Sequence, residues 1–145
     1  MIKTASVWLM NARGEFLLQL RAPNVKNPNK WGMSAGGWID AGESPADTVK
    51  RETMEELGID IPVGQFVFLG DFFNTENPEH QTHPHIYFAK GDWEISDIRF
   101  QESEIAAVKY VSLAEIKKII GTFVCAIQPQ KITLLEEYLY KEQLN

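Results

Sequence analysis

The chain has 145 residues, a formal charge of −6 and one cysteine, Cys125; 44% of it is hydrophobic and 23% charged. That balance excludes disordered, collagen-like and coiled-coil classes, and a lone cysteine excludes an intrachain disulfide or a multi-cysteine zinc site. An acidic chain has no global electrostatic reason to bind a nucleic-acid polymer or an anionic membrane. A chain of this length buries about two-thirds of its unfolded surface, so residues 1–145 are expected to form one domain. The apolar run Ala5–Met10 is too short for a signal or membrane-spanning segment, so the expected location is cytoplasmic.

In chain order, 4–10 and 15–21 read as a strand pair around the turn Asn11-Ala12-Arg13-Gly14. The stretch 23–29, rich in proline and asparagine, reads as a loop. Residues 31–39 are strand-like, with a bend or a close backbone approach expected at Gly36-Gly37. A helix is announced by Ser44 as cap, Pro45 at its first position and Asp47 where a capping-box acid belongs. It turns Ala46, Val49, Thr53 and Leu57 inward and stops at Gly58. Further strands are expected at 65–73, 85–90 and 106–111. Ser112 and Glu115 then open a short helix, and a last helix runs over 129–141. Strands outnumber the scattered helices, which argues for an α/β fold layered around a mixed sheet.

Three carboxylates on the first long helix, Glu52, Glu55 and Glu56, stand at i, i+3 and i+4. They are expected to share one arc of its surface, beside the apolar face. Their mutual repulsion on a solvated helix amounts to about 0.3 kcal/mol per pair, so on the helix alone a plain solvated face is the favoured reading. The surroundings change that balance. From Gly37, five residues lead to Glu43 and seven more to Arg51-Glu52; Glu55-Glu56, Gly58 and Ile59 follow. At about 5–7% usage per residue type, chance yields the seven fixed letters less than about once in a million.

These residues match the Nudix box, G-x5-E-x7-R-E-U-x-E-E-x-G-U, where U is a bulky apolar residue. Only Thr53, at the first U, departs from it, and that position concerns helix packing. The chain therefore resembles the Nudix hydrolases. The resemblance implies an α/β/α sandwich around a mixed sheet and hydrolysis of a diphosphate linkage assisted by Mg²⁺ or Mn²⁺. The substrate it implies is small and phosphorylated, commonly a nucleoside diphosphate derivative or a nucleoside triphosphate. It makes Glu52, Glu55 and Glu56 the metal ligands with a backbone carbonyl at Gly37, and Glu43 and Arg51 a supporting pair. Relatives often add a carboxylate before a late strand, for which Glu104 is favoured and Glu102 is the alternative. Glu55, Glu56 and Glu104 are thus the candidate catalytic residues, with Glu55 and Glu56 not separable into base and ligand, since reach decides that role.

Other signals are weaker. Arg21, Lys26 and Lys30 precede the glycines and suit a phosphate, though surface solvation is the better explanation for each lysine than for Arg21. Trp31, Trp38, Phe72 and Phe73 are candidates for stacking on a substrate or for the core; Trp38 and Phe73 are taken as substrate-binding candidates with Arg21 and Lys30. His80, His83 and His85 lie in one stretch, read as a polar loop leading into a strand, which lacks the positioning a metal site needs. Cys125 is expected to be buried and inert. The run from Leu17 through Asn27–Trp31 to Ser34–Gly37 resembles isopentenyl-diphosphate isomerases, but their chemistry uses a cysteine near Ala35 or Gly36, and none stands there. A non-catalytic nucleotide-binding module is the third reading, and a homodimer is compatible with the family.

Overall fold

A computed structural model describes residues 1–144. Its strands are β1 (Ile2–Met10), β2 (Phe16–Arg21), β3 (Trp31–Gly32), β4 (Ala35–Trp38), β5 (Val67–Asp71), β6 (Thr82–Lys90) and β7 (Ile105–Val111). The helices are α1 (Pro45–Leu57), α2 (Leu113–Ile119) and α3 (Pro129–Leu144). β1 runs parallel to β6 along one edge over its whole length, and antiparallel to β4 over Thr4–Val7 on the other. β2 pairs with β7 and β3. The two groups of strands meet at one residue pair, Met10 and Phe16, beside the tip of the first hairpin.

Only the tip of the expected hairpin forms: Asn11 Oδ1 accepts from the N–H groups of Arg13 and Glu15, and Gly14 takes φ 76°. Beyond the single pair the strands splay apart. Ser34 stitches the gap: Leu9 N–H donates to its hydroxyl oxygen at 2.9 Å, and the hydroxyl donates to Leu17 O at 2.6 Å. One backbone donor and one acceptor left by the split are thereby satisfied.

The central strands are apolar on both faces, as a sheet covered on both sides requires. Ala5, Val7 and Leu9 of β1 pack with Val49 and Leu57 of α1. Trp8 points the other way, into a second core with Ile116 of α2 and Ile132 and Leu135 of α3. Three layers, helix on sheet on helices, follow directly from this alternation. No helix among the described residues is long and apolar enough to cross a membrane.

Several boundaries differ from the sequence reading. The 31–39 stretch breaks at Met33-Ser34, and Gly36 and Gly37 lie inside β4, paired regularly with β1. Neither has a positive φ, so close approach, not a bend, explains them. The expected strand 65–73 opens with a 3-10 turn at Val63–Gln65. β6 begins at Thr82, three residues earlier than expected, so His83 joins His85 as a strand residue. At α1, Ser44 Oγ accepts from Asp47 N at 3.1 Å, the first half of the expected capping box. At α2 both halves form, between Ser112 and Glu115.

Candidate active site

The site is organised around α1. At its N-terminal end Glu43 and Arg51 form a two-pronged pair: Nε donates to Glu43 Oε2 at 2.9 Å and Nη2 to Oε1 at 3.0 Å. Asp40 N and Thr48 Oγ1 also donate to Glu43 Oε1. The Arg51 guanidinium holds the Glu43 carboxyl down to about 2, and the carboxylates push the Arg51 pKa up. Arg51 reaches on to Glu52 Oε1 at 2.8 Å, Glu55 Oε2 at 3.3 Å and Trp38 O at 3.3 Å. The loop before the helix and the strand before the loop are therefore both tied to it.

Toward the other end lies Glu56, 5% exposed. Gln19 Nε2 donates to its Oε1 at 2.7 Å and Gly36 N to its Oε2 at 3.2 Å. Burial, with the Glu52 carboxylate beside it, pushes the Glu56 carboxyl well above the usual range. Glu56 thus departs from the expected surface arc. It faces the split between β1 and β2, where Gln19 and the Gly36 amide replace part of its lost hydration.

Glu52 packs against Gly37. A Cβ on Gly37 would come within 2.6 Å of the Glu52 carboxylate carbon, and one on Gly36 within 2.8 Å of Ala5 O. The glycine pair therefore makes room for a carboxylate on one side and for β1 on the other.

These groups line a cavity of about 400 Å³. Glu52 and Glu56 come to it from α1, Gly36, Gly37 and Trp38 from β4, Thr4 and Ser6 from β1, and Arg21 from the end of β2. Lys26, Asn27, Glu104 and Lys131 complete the wall. Glu104 is delivered by a loop fastened to the end of α1: Arg99 N donates to Leu57 O at 3.0 Å and Gln101 N to Glu56 O at 2.9 Å. Ala22 N donates to Glu104 O at 2.9 Å, which joins the same loop to β2. Glu102 does not line the cavity.

The remaining candidates are dispersed. Glu55 is half exposed and lines a groove with Arg51 and Met54 outside this cavity. Lys30 lies off the cavity wall, and Lys26 stands there in its place. Trp38 is 65% exposed at the rim. Phe73 is exposed and stacks on His83 instead. Trp31 and Phe72 pack against the second core, the core reading for both. Cys125 is buried, and burial pushes its thiol up.

Two residues of the site, Gln19 beside Glu56 and Lys131 on the cavity wall, went unread in the sequence. Gln19 sits in the apolar run Leu17–Leu20, where an amide amid buried neighbours is itself a signal. Its Nε2 is engaged by Glu56 and Ser34 O, while its Oε1 is buried without a partner. Lys131 on α3 carries no local signal, since only the packing of α3 brings it here. Burial lowers its pKa to about 8, and its ammonium makes no hydrogen bond or ion pair among the described residues.

The donor set is one of hard oxygens on a rigid helix, with a glycine cradle beside Glu52. It suits Mg²⁺ or Mn²⁺ better than a softer ion. Glu52 and Glu56 are the groups placed to hold such an ion in the cavity.

The family model for the NUDIX domain matches residues 2–124. An uncharacterized Nudix hydrolase of Listeria monocytogenes is 28% identical over 114 residues, covering 78% of this chain and 64% of the relative. The chain thus spans just under two-thirds of that relative's length. An isopentenyl-diphosphate Delta-isomerase of Escherichia coli is 26% identical over 125 residues, covering 86% of this chain and 69% of the relative. A MutT protein structure from Methanosarcina mazei superimposes with a TM-score of 0.72 at 26% identity, covering 97% of this chain and 94% of the other.

Proposed function

Since this chain belongs to the Nudix hydrolase family, we propose that it cleaves a diphosphate linkage by water attack at phosphorus, with Mg²⁺ or Mn²⁺ held by Glu52 and Glu56. The substrate we propose is a nucleoside diphosphate derivative or a nucleoside triphosphate. The observation that carries this reading is Glu56, a carboxylate kept in a buried seat by Gln19 and the Gly36 amide with Glu52 alongside. Such a placement opposes the charge of the protein alone and makes sense when a cation offsets it. A divalent ion bound there would lower the pKa of the attacking water and stabilise charge on the leaving oxygen.

The chain's own residues divide the rest of the work. Arg21, Lys26 and Lys131 line the wall and present positive charge to the substrate's phosphates, with Arg21 held by its Nε donating to Lys26 O at 2.5 Å. Glu104, on the cavity wall, is the carboxylate we assign to accept a proton from the attacking water. Trp38 offers an exposed aromatic face at the rim for the group beyond the phosphates.

The likeness to isopentenyl-diphosphate isomerases gives a second reading. It is disfavoured by Ala35 and Gly36, where the isomerase-like frame would need a cysteine: a Cβ at Gly36 alone already crowds Ala5 O. A panel of nucleoside triphosphates, nucleoside diphosphate derivatives and prenyl diphosphates, assayed with Mg²⁺ for phosphate and pyrophosphate release, tests both. Metal-dependent release from a nucleotide is the expected result. Interconversion of isopentenyl and dimethylallyl diphosphate without release would replace the proposal with the isomerase reading.

A further inference from the structure

A second cluster of ligating side chains lies away from the box, on the exposed margin of the sheet face that α1 covers. β6 alternates, so His83 and His85 point to the same face as Tyr87. β5 brings Asp71 opposite His85. It does so through a bulge: the register runs from Phe68 opposite Tyr87 to Gly70 opposite Ile86, leaving Leu69 as the extra residue. Without that extra residue Asp71 would face Pro84 and point to the other side of the sheet. Bulges re-aim side chains in this way. Gly70 permits this one with φ 147°, and a Cβ there would press within 2.9 Å of the Leu134 side chain.

We propose that Asp71, His83 and His85 form a binding site for Zn²⁺ or a similar borderline transition ion, distinct from the Mg²⁺ site of the box. One ligand atom from each of the three lies within 4.8 Å of the others. His83 Nε2 is 2.6 Å from Asp71 Oδ2. His85 Nδ1 is 3.0 Å from Thr4 O, and because a carbonyl only accepts, this nitrogen carries the proton. The lone pair of His85 is thereby directed to Nε2, the arrangement by which metal-binding imidazoles are oriented by a second partner. The His83 and His85 ring centroids are 4.3 Å apart, and Phe73 stacks on the outer face of His83 at 4.3 Å.

Bonds of about 2.0–2.2 Å in tetrahedral array separate ligand atoms by about 3.3 Å. The 2.6 Å His83–Asp71 contact is shorter than that and the 4.8 Å limit longer, so an ion would open the first and draw in His85. Two imidazoles and a carboxylate leave a fourth position open and favour zinc-like ions over magnesium, which prefers an all-oxygen set. Side-chain exposures of 45% at Asp71 and 15% at His83 leave an entry path. None of the three lines the box cavity, so the inference stands whether or not diphosphate hydrolysis is the activity.

The test is titration of the full chain with Co²⁺, then Zn²⁺ displacement, in millimolar Mg²⁺ to occupy the box. Visible absorption of nitrogen-ligated Co²⁺ at one equivalent is expected, as is a raised melting temperature with Zn²⁺. Affinity should fall about tenfold to a hundredfold or more in His83→Gln and in His85→Gln, and stay unchanged in Glu56→Gln. Side-chain nitrogen NMR of the unmutated protein gives a readout independent of variant folding: Zn²⁺ should shift the His83 and His85 ring nitrogens and leave His80 in place. No binding in the presence of Mg²⁺, binding abolished by Glu56→Gln, or His83 and His85 nitrogens unmoved at saturation would each overturn the proposal.

Discussion

Glu43 and Glu56 stand near opposite ends of one helix and meet opposite fates. Glu43 accepts both prongs of Arg51 and is held down to about 2, a permanent charge that serves as a brace. Glu56 is enclosed, has neutral donors, and sits beside another carboxylate, so its proton is held tightly until a cation replaces it. Glutamate is the same residue in both places; what differs is whether the compensating charge belongs to the protein or must come from solution. A carboxylate with its own arginine holds structure together, and one without is available for chemistry.

The largest expected effect comes from removing the uncompensated member. Glu56→Gln keeps the shape and the Gln19 contact but deletes a charge needed only when a cation is bound. Turnover should fall on the order of a thousandfold, since lost charge stabilisation of several kcal/mol converts at about 1.4 kcal/mol per factor of ten. Metal-free stability should not fall. Steady-state rates with Mg²⁺ and melting in chelator measure the two sides, and a destabilised but active variant would contradict the contrast drawn here.

Acid and base titrations sharpen it further, because the two groups bias stability in opposite directions. Glu43 has a folded-state pKa below its ordinary value of 4.5. Its contribution is present above 4.5 and is lost as pH falls from there toward about 2. Glu56 has a raised folded-state pKa. Its contribution is present below 4.5 and is lost as pH climbs through the neutral range, where the unfolded chain ionises and the folded one resists. In chelator, Glu43→Gln should therefore flatten the acid limb of the stability–pH curve, and Glu56→Gln the limb on the alkaline side. Denaturant midpoints across pH read both slopes, and Mg²⁺ should reverse the second by favouring the charged form.

Much of this was legible from residue spacing. The helix, its cap and stop, and the positions of Glu43, Arg51, Glu52 and Glu56 all follow from local pattern, because capping and i, i+4 geometry act over a single turn. What was not legible depends on distant strands. That Glu56 turns inward needs the β1–β2 split, which one Ser34 hydroxyl closes from elsewhere in the chain. That His83 is a strand residue needs the parallel ladder with β1, which extends β6 back to Thr82. Lys131 arrives by the docking of α3, for which the sequence near it has no counterpart.

Thr53 supplies the smallest effect and a control for the rest. It occupies the apolar position of the box that the sequence departs from, is fully buried, and donates its hydroxyl to Val49 O at 2.7 Å. The helix ladder already gives that carbonyl a donor, so Thr53→Val leaves no backbone group unpaired. The lost hydrogen bond, worth about 0.5–1.5 kcal/mol, is opposed by burying a methyl where a hydroxyl stood. Stability should change by less than about 1 kcal/mol in either direction, with turnover unaltered, as read by denaturant unfolding and initial rates. A variant at this position that lost activity while staying folded would mean that the inner face of α1 transmits to Glu52 and Glu56, and the division between brace and chemistry would have to include the helix core between them.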